Sequence, residues 1–175
     1  APDARAGWDA IASEYQDEFY GERFGERLMW SRRASEDDLH VFDDVRGKRA
    51  LVLGCGGGQD AVALAKMGAI AVGIDFSPQQ IAYAKKYAAA HNADNASFVE
   101  GQVEDLARFD DESFDLAVSI YALDSVQRIE DVLAEACRVP AHRSHWLGEL
   151  GVACAAPAGP GGVCSGQEPV RRWHP

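Results

Sequence analysis

Five consecutive residues, Gly54-Cys55-Gly56-Gly57-Gly58, could let a ligand lie against the backbone, because glycine has no Cβ to hold it away. They also permit the positive φ of a tight turn. Before them, residues 50–53 form an apolar run of a buried strand's length, bounded by charges. After them, Val62, Leu64, Ala65 and Met67 follow a helical spacing that Gly68 closes. Such a helix points its free N–H groups toward whatever rests on the turn. A second run, 70–74, ends in Asp75, 21 residues after Gly54. An acid at the tip of the second strand of such a unit stands where a ribose diol is hydrogen-bonded.

Glycine spacing narrows the choice of nucleotide. The dinucleotide fingerprint G-x-G-x-x-G needs a third glycine at position 59, which is Gln59. The glycines fall at 54, 56 and 58 instead. That G-x-G-x-G turn, with Asp75 on the next strand, resembles class I S-adenosylmethionine-dependent methyltransferases, and the resemblance spans residues 8–139. It implies methyl transfer from S-adenosylmethionine to a small-molecule acceptor. The cofactor would lie over Gly54, Cys55, Gly56 and Gly58, with Asp75 on its ribose hydroxyls. Two other readings stand beside it. One is a nicotinamide-dependent oxidoreductase, which the position of Gln59 disfavours. The other is a truncated, altered methyltransferase fold serving as a non-catalytic binding protein.

The resemblance extends to further residues. Trp8-Asp9 through Tyr15 fits the W-[DN]-x-x-A-x-x-Y segment that precedes the glycine turn in many small-molecule methyltransferases, which puts Tyr15 at the methionine end of the cofactor. Leu28-Met29-Trp30 looks like part of the same lid. From spacing alone, the aromatic residues of this region read as a helical cap packed on the sheet edge. Phe76, beside the ribose acid, could lay its ring on the adenine, with a plain core phenylalanine as the bland reading. Ser77, Pro78 and Gln80 read as helix capping in an S-x-x-Q box, and Gln80 is also counted with the cofactor-facing residues. Gly101-Gln102-Val103 resembles the family's third motif, usually G-D-A-x-x-L, placing Gln102 and Val103 at the adenine. The motif's acid is replaced by Gln102, whose carbonyl can accept the same hydrogen bond. Glu104 and Asp105 read as helix-start acids. A second departure is Val52, where many relatives carry an acid. Residues 116–120 read as a fourth strand, and the resemblance sets Ser119, Tyr121 and Asp124 near the substrate side, Ser119 also among the cofactor contacts. No catalytic base is assigned, since transfer of an activated methyl needs chiefly in-line positioning.

The elements that must hold these residues alternate strand and helix. The expected fold is α/β, a Rossmann-like, mostly parallel sheet with helices on both faces, an N-terminal helical lid and incomplete C-terminal strands. The 175 residues suit a single domain: lid over 1–46, cofactor-binding core over 47–139, and an atypical tail over 140–175. The lid is acidic, with 11 acids against 4 bases between Asp9 and Asp44. The net charge of −11 opposes a nucleic-acid partner. Four cysteines without a C-x-x-C pair, no apolar leader and no long apolar run free of glycine and proline suggest a cytoplasmic protein without membrane insertion.

The pattern breaks after Val139. Five of the seven prolines and six of the 17 glycines fall between Pro140 and Pro175, as a shifted reading frame or unusual splice would give. His142, His145, Cys154, Cys164 and His174 have no zinc-site spacing, so no metal is expected. With no convincing strand in the tail, the edge of 116–120 is expected to be open, covered irregularly through Val163-Cys164 or paired with a second copy.

Overall fold

A computed structural model describes residues 4–17, 26–31, 33–42, 44–123, 126, 128–139, 144–146 and 152–155. Among these residues eleven elements follow one another: α1 (Ala4–Tyr15), α2 (Glu36–Leu39), β1 (Arg49–Leu53), α3 (Gln59–Lys66), β2 (Ile70–Asp75), α4 (Pro78–Ala90), β3 (Ala96–Glu100), β4 (Leu116–Ser119), α5 (Ile129–Arg138), β5 (Ser144–Trp146) and β6 (Val152–Ala155). They build one sheet in the order β3-β2-β1-β4-β6-β5. The first four strands are parallel, and the chain reverses its direction of winding between β1 and β4. In open α/β sheets this reversal leaves a crevice beyond the carboxyl ends of the strands, and ligands bind there.

Alternation along β1 explains why the sheet is covered on both faces. Ala50 and Val52 join a core with Val62, Leu64, Ile81 and Phe98, which α3 and α4 supply with β3. Leu51 and Leu53 point the other way, into a core with Phe114, Val132 and Ala136 that includes α5. Val52 is therefore fully enclosed in the sheet's interior. Leu28, Trp30 and Val45 also belong to the core. Trp30 is buried, and its indole N–H donates to the Glu36 carboxylate at 2.6 Å, while the same carboxylate accepts from the Phe42 N–H at 2.6 Å. An acid buried here is tolerated because both its oxygens are used.

The tail departs from expectation. β6 pairs antiparallel with β4, from Leu116↔Ala155 to Ser119↔Val152, and β5 pairs with β6. The edge expected to be open at β4 is thus interior to the sheet. The reading missed this because Val152-Ala153-Cys154-Ala155 is four small apolar residues among glycines and prolines. So short a run carries no period that separates strand from loop. The alternative cover, Val163-Cys164, lies outside the described residues.

Candidate active site

The site begins with why the turn is made of glycine. Gly54, Gly56 and Gly58 have φ of 63°, 49° and 87°, in the left-handed region that residues with a Cβ avoid. Two of them are also crowded. A Cβ on Gly54 would lie 2.3 Å from the Ala122 methyl, and one on Gly58 would lie 2.8–2.9 Å from Ala84 and Phe98. Gly58 then caps α3, so the helix starts directly behind the turn.

Asp75 ends β2 against this turn. One carboxylate oxygen accepts the Gly56 N–H at 2.9 Å and the other the Ser77 N–H at 2.9 Å. Burial raises its pKa, and the backbone N–H groups of Ser77, Gly56 and Phe76 work in the opposite direction. Ser77 caps α4 by accepting from the Gln80 N–H at 3.1 Å, and its hydroxyl donates to Asp9 of α1. The capping box is not closed in the expected way. The side chain of Gln80 turns instead to Gln16, whose amide N–H donates to it at 2.8 Å. Gln16 in turn accepts from the Gln59 amide at 2.5 Å. These three residues are buried and form a chain of amides above the turn. Gln16 lies so close to Gly57 that a Cβ there would sit 2.3 Å from its carbonyl oxygen.

Around these groups lies a cavity of about 620 Å³. Of the residues expected from sequence, Tyr15, Gly54, Cys55, Gly56, Asp75, Phe76, Gln80, Gln102, Val103 and Tyr121 line it together. Gly58 and Ser119 do not. Gly58 is covered by its neighbours, and Ser119 is buried with its hydroxyl donating to the Leu53 carbonyl at 3.1 Å, which holds β4 on β1. Asp124 lies outside the described residues. Trp8 meets Tyr15 edge to face at 5.1 Å in the cavity wall. Tyr121 is 47% exposed, with φ of 57°, a strained backbone for so large a side chain. Its neighbour Ala122 fills the space that a Cβ on Gly54 would need.

Sequence reasoning missed Gln16, Gln59 and Asp60, which also line the cavity. Gln16 comes one residue after the W-[DN]-x-x-A-x-x-Y segment, in a π-type turn that ends α1. Such turns gather at functional sites, but no residue pattern announces them. Asp60 reads from sequence as an ordinary first-turn acid. In the fold, protein encloses it on most sides, and burial pushes its carboxyl up to about 7. Burial and the charges of Asp75 and Asp60 push the Cys55 thiol well up, so it stays neutral.

Comparison with known proteins bears on this arrangement. A family model described as a methyltransferase domain matches residues 51–144, more than half of the chain. The chain belongs to this family of class I methyltransferase domains. Over 91 residues the domain is 39% identical to a ubiquinone biosynthesis O-methyltransferase of Neisseria meningitidis serogroup C, covering 51% of this chain and 38% of that protein. The chain thus spans well under half the length of that relative. An arsenic(III) S-adenosylmethionine methyltransferase from Chlamydomonas reinhardtii superposes with a TM-score of 0.57 at 28% identity, covering 81% of this chain and 46% of the other. The [4+2]-cyclase SpnF superposes with a TM-score of 0.65 at 25% identity, covering 79% and 56%. One of these neighbours is named for a cyclisation, so the fold by itself does not fix the reaction.

Proposed function

We propose that the domain binds S-adenosylmethionine in this cavity and passes its methyl group to an oxygen of a small-molecule acceptor. The observation that carries the reading is Asp75, a buried carboxylate at the tip of β2, held on the glycine turn and facing the cavity. Each of its oxygens accepts one backbone N–H and keeps capacity for a ribose hydroxyl. Gln102 and Val103 line the adenine end in this proposal, with Phe76 against the ring. Tyr15 and Gln16 face the methionine end. The acceptor lies between Trp8 and Tyr15 on one side and Tyr121 on the other. The O-methyltransferase in the relative's name supports an oxygen nucleophile.

The bound cofactor supplies a methyl group already activated by its sulfonium, so the protein's part is orientation. The cavity suits a cation, with Asp60, Asp75, Glu104 and Asp105 in its wall. Its arginines are paired, Arg5 with Glu100 and Arg128 with Asp131 at 2.9 Å. Among the described residues, no helix is long and apolar enough to cross a membrane. The net charge of −11 speaks against nucleic acid as the acceptor, and a cytoplasmic setting completes the proposal.

Calorimetric titration with S-adenosylhomocysteine tests the site, because that product analogue keeps the ribose. Asp75→Ala is expected to weaken binding by about 1.5–3 kcal/mol, the worth of hydrogen bonds to a charged group. A folded Asp75→Ala protein that binds as tightly as wild type would remove Asp75 from the ribose.

A further inference from the structure

Residues 101–115 join β3 to β4 without a helix or strand among the named elements. So long a bare connection is uncommon in a compact domain. Its first part carries Gln102, Val103, Glu104 and Asp105 into the cavity wall, and the Asp105 N–H closes a turn on the Gln102 carbonyl at 3.2 Å. What holds the rest comes from the last turn of α5. The Arg138 guanidinium donates to the Leu106 carbonyl at 3.0 Å, the Phe109 carbonyl at 3.1 Å and the Asp111 carboxylate at 2.6 Å. Glu135 accepts from the same group at 2.6 Å and 3.1 Å, which fixes its plane. The backbone adds two more links, from the Glu112 N–H to the Arg138 carbonyl and from the Phe114 N–H to the Val139 carbonyl, each at 3.2 Å. Beneath them Val103 and Leu106 pack in one core with Val132, Ala136 and Val139.

Arg138 itself does not line the cavity, so its influence there passes through the loop. Leu106, whose carbonyl it holds, directly follows the four cavity-lining residues. Gln102 is exposed, so its amide is placed by the backbone of the loop rather than by packing. A planar fork of five N–H groups can serve two carbonyls and two carboxylates together, whereas a lysine ammonium has three donors on a flexible stem. Given the binding mode proposed above, on which this rests, Gln102 meets the adenine amino group. We infer that Arg138 is a positioning residue: it sets the loop after β3 so that Gln102 receives that amino group, and so gives the site its preference for adenine over hypoxanthine.

Two effects of releasing the loop can be told apart. Ordering a slack loop costs conformational entropy whatever base is bound. Misplacing Gln102 costs only a ligand that carries the amino group, because a hydrogen bond weakens steeply once it is out of line. The second effect changes a ratio of affinities, which a loss of stability alone leaves untouched.

The test is calorimetric titration of the full chain with S-adenosylhomocysteine and with S-inosylhomocysteine, in which a ring carbonyl replaces the amino group. Wild type should bind the adenine ligand about tenfold more tightly. Gln102→Ala should bring that ratio close to one. Arg138→Lys and Arg138→Ala should lower it severalfold, mainly by weakening the adenine ligand, with lysine the milder change. Variants that keep the wild-type ratio, however far both affinities fall, would overturn the inference and leave Arg138 a stabilising residue only. Should Arg138→Ala not fold, Arg138→Lys and Glu135→Gln, which loosens the guanidinium without removing it, decide by the same ratio. Wild type that binds both ligands equally would overturn the placing of Gln102 at the adenine and this inference with it. Wild type that binds neither would refute the cofactor reading itself.

Discussion

Gly58 and Gly47 share a left-handed backbone, with φ of 87° and 71°, but their surroundings differ. Nothing lies within 4 Å of a Cβ built on Gly47, whereas Ala84 and Phe98 crowd one on Gly58. Gly47→Ala should cost only the backbone term, about 1–2 kcal/mol. Gly58→Ala should cost a further 1–3 kcal/mol or so from overpacking. Thermal melts of the two variants check the difference, and equal melting points would mean that the Gly58 contacts relax freely. Asp60 gives a second residue-scale prediction. Its carboxyl is raised from 3.8 to about 7 by folding, so between those pH values the folded chain holds a proton that the unfolded chain has lost. Stability from this group is present at low pH and falls as pH rises through 7. Asp60→Asn should therefore raise the melting point of the ligand-free protein more at pH 8 than at pH 5. The glycines and Asp75 were legible because their chemistry depends on type and spacing. Asp60 and Gln16 were not, because the fold alone brings them into the cavity wall, which the first turn of a helix and the residue after a motif do not reveal.

Polar links fasten α1 and the turn after it across the cavity: Arg5 to Glu100 at the end of β3, Asp9 to Ser77 at the cap of α4, and Gln16 to Gln80 and Gln59. The first is exposed and contributes little to stability. Gln16 is buried, and removing it leaves the other two amides without their partner. Gln16→Ala should therefore cost about 1–3 kcal/mol of stability, readable as a lower melting point. A variant as stable as wild type would show that the amides find other partners. The helices and parallel strands were legible as elements because each combines a period with its own stop signals, Gly68 after α3 and Ser77-Pro78 before α4. The capping residue Gln80 was misread in part. Its type fits the box, but the fold offered its side chain a buried amide instead of the Ser77 N–H, which Asp75 already takes. Leu28 and Trp30, whose spacing alone reads as a cap packed on the sheet edge, are buried in the core.

At the scale of the molecule, the parallel half of the sheet places Gly54, Asp75, Gln102 and Tyr121 of the cavity wall at or beyond the carboxyl ends of β1 to β4, and the antiparallel strands β6 and β5 cover the edge of β4. Shortening the chain to residues 1–139 removes β5 and β6 and leaves the apolar strand 116–119 with an unpaired edge. The shortened protein is expected to melt lower and to associate, as sizing would show. A monomer of equal stability would mean that β6 contributes nothing to the sheet. Most of the parallel sheet was legible because its strands are buried on both faces and read as continuous apolar runs. The tail was not, because its strands are brief and made of residues that loops also favour. The central claim is that the glycine turn and Asp75 form a site for S-adenosylmethionine rather than for a dinucleotide. Parallel calorimetric titrations of the full chain with S-adenosylhomocysteine and with NADH test it most directly. Saturable binding of S-adenosylhomocysteine with no heat from NADH is the expected result, and binding of NADH with S-adenosylhomocysteine silent would contradict it.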